Sequence, residues 1–259
     1  MDSDTQAPYQ LACMEAWGGN RKIAREVELP GLAGWVYLAP LEPSSGGGDV
    51  CYFSVCDRGL LSRVVLADVS GHGRIVSSVA DLLLGLMRKH INTWDQSTFM
   101  QDLDGEFRQG IEDGQHATVV VLGFVRQTGQ LLYTSAGHHS LLWYHAAEQK
   151  WGWMDENALL AQTDGKDPPL GLIPGTHYRQ IAFKLAPADL LVLYTDGLSE
   201  AMDGAGQELG GKGLLELASS LPADSPVAVG EALLEAVGAF RQGVPASDDQ
   251  TLVILQCGG

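Results

Sequence analysis

The amino-acid sequence predicts an α+β sandwich, and two observations lead to this prediction. Short β-branched and aromatic runs occur in groups that are separated by turn residues, which is typical of hairpins. Helical periodicity occurs between these groups rather than after every strand, which argues against a regular βαβ repeat. The helix predicted at residues 75–91 is apolar over much of its face, so we expect it to pack on a sheet.

The elements follow from local patterning along the chain. The predicted strands cover residues 35–39, 50–56, 63–67, 117–125, 130–135, 140–144, 178–185, 190–194 and 251–256. The predicted helices cover 75–91, about 98–111 and 227–240, where apolar residues recur at helical spacing. Residues 126–129 predict a hairpin turn. Residues 145–175 lack periodicity and predict a long loop, which is typical either of a functional flap or of a disordered segment. We expect a weakly patterned lead-in at 1–30 and one domain at 31–259.

The charge of the chain narrows the classes of partner. Sixteen Lys and Arg stand against 32 Asp and Glu, a formal net charge of −16. Nucleic-acid phosphates and anionic membrane surfaces repel such a protein, so neither is an expected partner. We find no signal-peptide pattern and no apolar run long enough to span a bilayer, and therefore expect a cytoplasmic protein. The four cysteines have no metal-ligand spacing and are expected to be small buried residues.

Acidic residues at the ends of predicted strands carry the predicted chemistry. Asp49 follows three glycines and Asp68 follows a strand. Asp196 follows another strand, while Asp248 and Asp249 precede the last one. Carboxylates that converge in a partly desolvated site repel one another unless a cation offsets their charge, and oxygen ligands suit Mg²⁺ or Mn²⁺. The alternative is that each aspartate caps a helix or forms an Asx turn.

Six segments in this order resemble motifs of the SpoIIE-like phosphatases, the bacterial branch of the metal-dependent PPM (type-2C) Ser/Thr protein phosphatases. They are Gly47-Gly48-Asp49, Ala67-Asp68-Val69-Ser70-Gly71-His72-Gly73, Ser135-Ala136-Gly137-His138, Pro169-Leu170-Gly171-Leu172, Leu193-Tyr194-Thr195-Asp196-Gly197-Leu198-Ser199-Glu200-Ala201 and Asp248-Asp249-Gln250-Thr251. The resemblance covers about residues 34–257. It implies two packed antiparallel sheets flanked by helices, with a binuclear Mn²⁺ or Mg²⁺ site at one end of the sandwich.

The resemblance also implies roles for individual residues in binding two metal ions. Asp68 would bridge both metals, and the backbone carbonyl of Val69 would bind one of them. Asp196 and Asp248 would bind the other metal. Asp49 would act on the metals directly or through a water molecule.

Two assignments within this set stay open at the level of sequence. Asp248 is the better match to the ligand of the family, but Asp249 fills the neighbouring position. His72 lies in the same motif as Asp68, and we include it with Asp68 and Asp196 as a predicted catalytic residue.

The chain departs from the family pattern at two positions. Tyr52 stands where many members have a second acid that makes an outer metal contact, and His139 stands where many have proline. His138 and His139, like His72, could supply a general acid near the leaving oxygen or could be satisfied structural histidines.

The implied reaction is hydrolysis of a phosphoserine or phosphothreonine ester by water that two metal ions activate. The substrate is expected to be a phosphorylated bacterial regulatory protein, plausibly of the anti-anti-sigma type. Two alternatives remain open at this stage. One is a pseudophosphatase that binds a phosphoprotein or regulator without turnover, and the other is a hydrolase of small phosphate esters.

The acidity of the chain bears on recognition and regulation. An acidic protein repels an acidic phosphoprotein at long range, so docking is expected to depend on shape and apolar contact, or on a basic face of the partner. The helices predicted at 75–91 and 98–111 are candidates for coupling to a regulator. Because only about 30 residues precede the predicted domain, we expect regulatory input from a separate partner or from self-association.

Overall fold

The computed structural model describes residues 9–10, 14–18, 22–41, 46–71, 74–154 and 167–258. The strands are β1 Tyr9–Gln10, β2 Met14–Gly18, β3 Ile23–Leu29, β4 Leu32–Ala39, β5 Asp49–Cys56, β6 Leu61–Val69, β7 Ala117–Val125, β8 Gln130–Ala136, β9 Leu142–His145, β10 Lys150–Trp153, β11 Ile181–Lys184, β12 Leu190–Tyr194 and β13 Gln250–Cys257. The helices are α1 Arg74–Lys89, α2 Gln96–Gly110, α3 Asp196–Ser199, α4 Gly210–Ser219 and α5 Pro226–Arg241, with one 3-10 turn at Asp57–Gly59.

In this part of the chain the strands form two sheets. One sheet has the order β1-β3-β4-β13-β12-β9-β10 and the other has the order β11-β8-β7-β6-β5-β2. Hydrogen-bonded neighbours run antiparallel except β1 and β3, which are parallel. The predicted sandwich of antiparallel sheets flanked by helices is therefore confirmed.

Alternation along β6 shows how the hydrophobic core is divided. Val64 and Leu66 join a cluster that draws residues from both sheets. Val65 and Val69 face the other way and pack with residues of α1 and α2. A third cluster packs α4 and α5 against the other sheet, so helices cover both outer faces of the sandwich. None of the described helices has the length and apolar character needed to cross a bilayer.

Most elements lie where the sequence predicts them, and three stretches differ, one of which holds the unpredicted helices α3 and α4 at residues 196–219. The segment before residue 31 contributes strands to both sheets. Its strand β3, which lies beside the two-residue edge strand β1, alternates exposed and more buried residues, which leaves a weak apolar signal. The stretch predicted as a loop at 145–175 contains β10, which pairs with β9 and buries Trp151. Residues 155–166 of that stretch lie outside the described residues.

One edge of the sandwich, which we call the site edge, gathers strand ends from both sheets. Asp49, the first residue of β5, lies opposite Asp68 near the end of β6, and Asp68 lies opposite Thr118 near the start of β7. In the other sheet Tyr194 ends β12 opposite Leu252 near the start of β13. Antiparallel pairing thus brings segments that are distant in sequence to the same edge.

Candidate functional site

The predicted acidic residues converge at the site edge. Asp49 and Asp68 are directly opposite each other on adjacent strands, where side chains are close neighbours. Asp196 begins α3 directly after β12, and Asp248 lies two residues before β13, the partner strand of β12. The negative charges of Asp196 and Asp248 both act on Asp68. The structure therefore brings residues from both sheets into one electrostatic group.

Asp49 is held in place by two hydroxyls from the opposite sheet. Its Oδ2 accepts hydrogen bonds from Thr195 Oγ1 at 2.8 Å and from Thr251 Oγ1 at 2.6 Å. Only 3% of Asp49 is exposed. Burial and the charge of Asp68 raise the pKa of Asp49 well above its ordinary value, although both threonine bonds act in the opposite direction. The carboxyl group is therefore oriented by the protein but repelled by its neighbour.

Asp68 experiences the largest accumulation of like charge. Burial raises the pKa of this carboxyl to about 8, with further contributions from the charges of four other acids. These acids are Asp196, Asp248, Asp249 and Glu200. A cation bound among these acids would offset their mutual repulsion. An aspartate that only forms an Asx turn does not require other acids around it.

Asp196 owes its position to a close fit between α3 and the segment before β13. A Cβ atom added at Gly197 would lie 1.9 Å from the carbonyl oxygen of Asp249, so only glycine allows this approach. Burial and the charge of Glu200 raise the pKa of Asp196, while His139 and the Gly197 N–H lower it. The Glu200 N–H donates to the Asp196 carbonyl at 2.6 Å, which keeps Glu200 at the end of the same short helix.

Asp248 and Asp249, which the sequence could not separate, make different contacts. Asp249 Oδ1 accepts from the Leu41 N–H at 2.7 Å, and its Oδ2 accepts from the Gly48 N–H at 2.6 Å. Both oxygens of Asp249 therefore hold backbone on either side of residues 42–45. Asp248 Oδ1 accepts from the Asp249 N–H at 2.8 Å. Both carboxylate oxygens of Asp249 are thus engaged by backbone N–H groups, which gives Asp249 a structural role at this edge.

The carbonyl of Val69 lies in a space that a glycine keeps open. A Cβ atom added at Gly48 would lie 2.7 Å from this oxygen and 2.8 Å from a methyl carbon of Val76. The Val69 N–H donates to the Gly48 carbonyl at 3.3 Å, which fixes the two segments side by side. The run of glycines before Asp49 thus leaves room beside a backbone oxygen that the sequence predicts as a ligand.

The predicted histidines are in different situations. His72 lies outside the described residues. His138 is 1% exposed, and its Nδ1 is 2.9 Å from Thr118 Oγ1, next to β6. His139 is half-buried and stacks on Tyr194 with ring centroids 5.8 Å apart. Because His139 also lowers the pKa of Asp196, it is the described histidine with an evident electrostatic link to the acids.

Sequence reasoning assigned no role to three residues of this edge, which are Thr195, Thr251 and Glu200. Each stands inside or beside a predicted motif, but nothing in the sequence indicates that Thr195 and Thr251 both reach Asp49. Tyr52, which replaces an acid of the family pattern, is fully buried in the cluster beneath α1 and α2. This position therefore serves the core in this chain.

The donor chemistry fits a hard divalent cation. It consists of carboxylate oxygens and one open backbone carbonyl, the combination that Mg²⁺ and Mn²⁺ prefer. Among the described side chains, no group of three or more His, Cys, Asp or Glu is already arranged to hold a metal ion. The fit therefore depends on the donor set, the space beside the Val69 carbonyl and the unrelieved repulsion at Asp68.

Comparison with known proteins was made in sequence and in structure. Residues 61–258 match the family model described as stage II sporulation protein E (SpoIIE). No curated protein matches the chain in sequence. The family match covers well over half of the chain and includes most of the site edge.

Several solved structures share the fold. The SiaA-PP2C domain of Pseudomonas aeruginosa is 18% identical with a TM-score of 0.69, and the match covers 86% of this chain and 84% of that one. The RsbU and RsbW domains of Rv1364c from Mycobacterium tuberculosis are 23% identical with a TM-score of 0.72, covering 89% of this chain and 62% of that one. RsbX in complex with magnesium is 15% identical with a TM-score of 0.64, covering 91% and 100%.

Proposed function

Since the chain belongs to the SpoIIE family and has the fold of PP2C phosphatase domains, we propose that it is a metal-dependent phosphoprotein phosphatase. Its substrate would be a phosphoserine or phosphothreonine in a bacterial regulatory protein, plausibly of the anti-anti-sigma type. The observation that carries the proposal is the convergence of acids from both sheets at the site edge, where burial and then the charges of neighbouring acids raise the pKa of Asp68 to about 8. Burying carboxylates that repel one another is unfavourable unless a bound cation offsets their charge or catalysis requires the raised pKa.

The proposed ligands of two divalent cations, Mn²⁺ or Mg²⁺, are Asp68, Asp196, Asp248 and the carbonyl of Val69. Asp49 would act directly or through a water molecule. The magnesium found with RsbX, a structural neighbour, supports this assignment by analogy. Bound cations would supply Lewis acidity that activates a water molecule and neutralises charge on the phosphoryl group.

The residues of the chain would orient the reacting groups. In the reaction, a water oxygen bonds to phosphorus while the bond between phosphorus and the Ser or Thr oxygen breaks, and that oxygen leaves with a proton. Thr195 and Thr251 hold Asp49 in one orientation, so that it need not reorganise during turnover. Asp249 holds the Gly48 backbone beside the site through its bond to the Gly48 N–H.

A small cavity outside the proposed ligand group bears on how a protein substrate would dock. A cavity between the end of α2 and the turn at Gly171 has a volume of about 190 Å³. Pockets for small molecules are typically about 300–1,000 Å³, so this cavity suits a single side chain better than a whole metabolite. A separate regulatory partner or self-association would act through α1 and α2, since both helices pack on β6, the strand that carries Asp68.

The test is hydrolysis of an aryl phosphate by the full chain, with Mn²⁺ or with chelator. Wild type is compared with Asp68→Asn, Asp196→Asn and the matched control Asp95→Asn, which changes the N-cap of α2. Asparagine is as good an N-cap as aspartate, so the control should keep full turnover. We expect Mn²⁺-dependent turnover that both site variants lose while they stay folded.

Two other outcomes would contradict the proposal. Turnover that ignores chelator and both site substitutions would rule out the metal-dependent mechanism. Mn²⁺ binding by calorimetry without turnover of an aryl phosphate or of phosphopeptides would indicate a pseudophosphatase.

A further inference from the structure

Large apolar side chains are exposed around the site edge. In the described part of the chain, the exposed large hydrophobic residues are Leu41, Trp94, Leu172, Ile173 and Met202, each between 40% and 54% exposed. Four of these five lie on segments that leave the site edge. Single exposed hydrophobic residues are ordinary, but their concentration around one site is typical of an interaction surface.

Leu172 and Ile173 follow a segment that is joined to the site edge by backbone hydrogen bonds. The Leu170 N–H donates to the Ala117 carbonyl at 2.9 Å, and the Ala117 N–H donates back at 3.1 Å. Ala117 lies opposite Val69 in the sheet. Leu170 is therefore hydrogen-bonded to the residue of β7 that lies opposite Val69, a proposed metal ligand. Leu172 and Ile173 follow Leu170 closely in the sequence.

The turn that presents Leu172 is fixed rather than loose. The Gly171 N–H donates to Oδ1 of the buried Asp104 at 2.8 Å, and Arg108 Nη1 donates to the Gly171 carbonyl at 3.3 Å. Leu172 and Ile111 line the cavity of about 190 Å³, together with the charged residues Arg108, Glu112 and Asp113. An apolar side chain that is held out by a fixed turn beside a small cavity can bind another chain with little loss of conformational entropy.

Leu41 and Met202 lie on other segments that leave the site edge. The Leu41 N–H donates to Asp249, next to the proposed ligand Asp248. Met202 lies three residues after α3, the helix that begins with Asp196, and bridges to Glu208. Three separate segments that adjoin the acids through hydrogen bonds, strand pairing or sequence thus each carry exposed apolar side chains.

Trp94, the fifth exposed residue, lies at the opposite end of β6. Its carbonyl accepts a hydrogen bond from Arg63 Nη2 at 3.4 Å. Arg63 is five residues from Asp68 along β6, which at about 3.3 Å per residue corresponds to about 17 Å. Trp94 therefore provides an internal comparison, because it is equally exposed but distant from the acids.

We propose that Leu41, Leu172, Ile173 and Met202 form an apolar docking ring for a phosphorylated protein segment. The phosphorylated residue of that segment is flanked by large apolar residues and lacks acidic neighbours. The proposal rests on the phosphatase function and names the class of segment that the site accepts.

The charge of the chain disfavours acidic residues beside the phosphate, and the exposed apolar residues of the ring favour apolar ones. The chain has a net charge of −16, and a phosphate brings a further charge of about −1.5 to −2. Acidic residues beside the phosphate would add repulsion on approach to the site, whereas apolar neighbours would bury surface against the ring. A phosphorylated residue with apolar neighbours is therefore complementary to a group of acids that is surrounded by the apolar docking ring.

The test uses synthetic phosphoserine peptides of equal length whose neighbours on each side are Leu, Ala or Glu. With Mn²⁺-loaded wild type, we expect kcat/KM on the Leu-flanked peptide to exceed that on the Glu-flanked peptide by at least about tenfold. In the double variant Leu172→Ser with Ile173→Ser, the ratio of peptide to aryl phosphate kcat/KM should fall about tenfold through KM. Trp94→Ser should leave this ratio as in wild type.

Binding separates failure of docking from failure of catalysis. Fluorescence anisotropy with non-hydrolysable phosphonate versions of the peptides reports docking without turnover. If wild type does not hydrolyse any substrate but still prefers the Leu-flanked phosphonate, and the double variant loses that preference, docking stands and the phosphatase function fails.

Three results would overturn the docking proposal. The first is equal kcat/KM and equal binding for Leu- and Glu-flanked peptides. The second is a double variant that loses aryl phosphate turnover as much as peptide turnover. The third is a double variant whose oligomeric state changes while its peptide preference does not, which would make the ring a contact between copies of the chain.

Discussion

Replacing Asp68 with asparagine should stabilise the metal-free protein, although we propose Asp68 as a ligand. The pKa of Asp68 is raised to about 8 in the folded chain, whereas it is about 3.9 in an unfolded chain. At pH 7 folding must therefore restore a proton that the unfolded chain has released. The gap of about 3 units between pH 7 and the pKa of the unfolded chain costs on the order of 4 kcal/mol at about 1.4 kcal/mol per unit. Asparagine has nearly the same shape and no ionisable group, so it removes this cost.

The dependence of this effect on pH has a definite sign. Below about pH 4 the carboxyl is protonated in both states, so the ionisation of Asp68 contributes no difference between wild type and variant. As the pH rises from about 4 to 8, the unfolded chain releases its proton first, and wild type loses stability relative to the variant. The advantage of Asp68→Asn should therefore grow toward neutral pH and shrink in acid.

The assay is urea unfolding of the full chain followed by circular dichroism, in chelator and in saturating Mn²⁺. In chelator at pH 7 we expect the free energy of unfolding of Asp68→Asn to exceed that of wild type by about 1–4 kcal/mol. The gain is below the full estimate because the neighbouring acids are coupled to Asp68 and adjust their own protonation. In Mn²⁺ the order should reverse, because a ligand that binds only the native state stabilises the wild type. Equal or lower stability of Asp68→Asn in chelator at pH 7 would refute the reasoning.

A second buried aspartate provides the matched control. Asp189 is 3% exposed, and it accepts hydrogen bonds from Trp143 Nε1 at 3.1 Å and from the N–H groups of Ala146 at 2.9 Å and Ala186 at 3.0 Å. All of its partners are donors, so Asp189→Asn should cost about 1–3 kcal/mol with or without Mn²⁺. If Asp68→Asn stabilises the metal-free chain and Asp189→Asn destabilises it, the two measurements distinguish a functional carboxylate from a structural one.

Three further substitutions test the support around the site. Thr251→Val removes a hydroxyl that orients the buried carboxylate of Asp49. The Mn²⁺ concentration for half-maximal turnover should therefore rise about tenfold or more in a metal titration. Gly48→Ala places a Cβ 2.7 Å from the Val69 carbonyl oxygen and should cost about 1–3 kcal/mol in urea, whereas Gly85→Ala, with no neighbour within 4 Å in α1, should gain about 0.5–1 kcal/mol. Arg63→Met leaves the carbonyls of the α1–α2 connector without their buried donor and should destabilise the chain by about 1–3 kcal/mol. Unchanged stability together with unchanged amide hydrogen exchange in that connector would contradict this role.

The fold was largely predictable because most elements are encoded by local periodicity. The strand at residues 117–125 and the helix α1 are strongly patterned, and both lie within one or two residues of prediction. Strand β3 was not predicted because charged residues interrupt its apolar pattern and its stability comes from pairing with β4. Strand β10 was also missed, since its four residues form a strand only by pairing with β9.

The motifs of the sequence predicted which acids would meet, through their resemblance to the SpoIIE-like pattern, since spacing alone does not show convergence in space. The sequence did not determine what each acid does there. Thr251 reaches Asp49 across 202 positions, and Asp249 reaches the Gly48 amide across 201. Such bonds depend on how the two sheets pack and in which register, and the free energy that sets this packing comes from the whole core. Tertiary structure therefore decided which carboxylates hold backbone and which keep the repulsion that a cation would relieve.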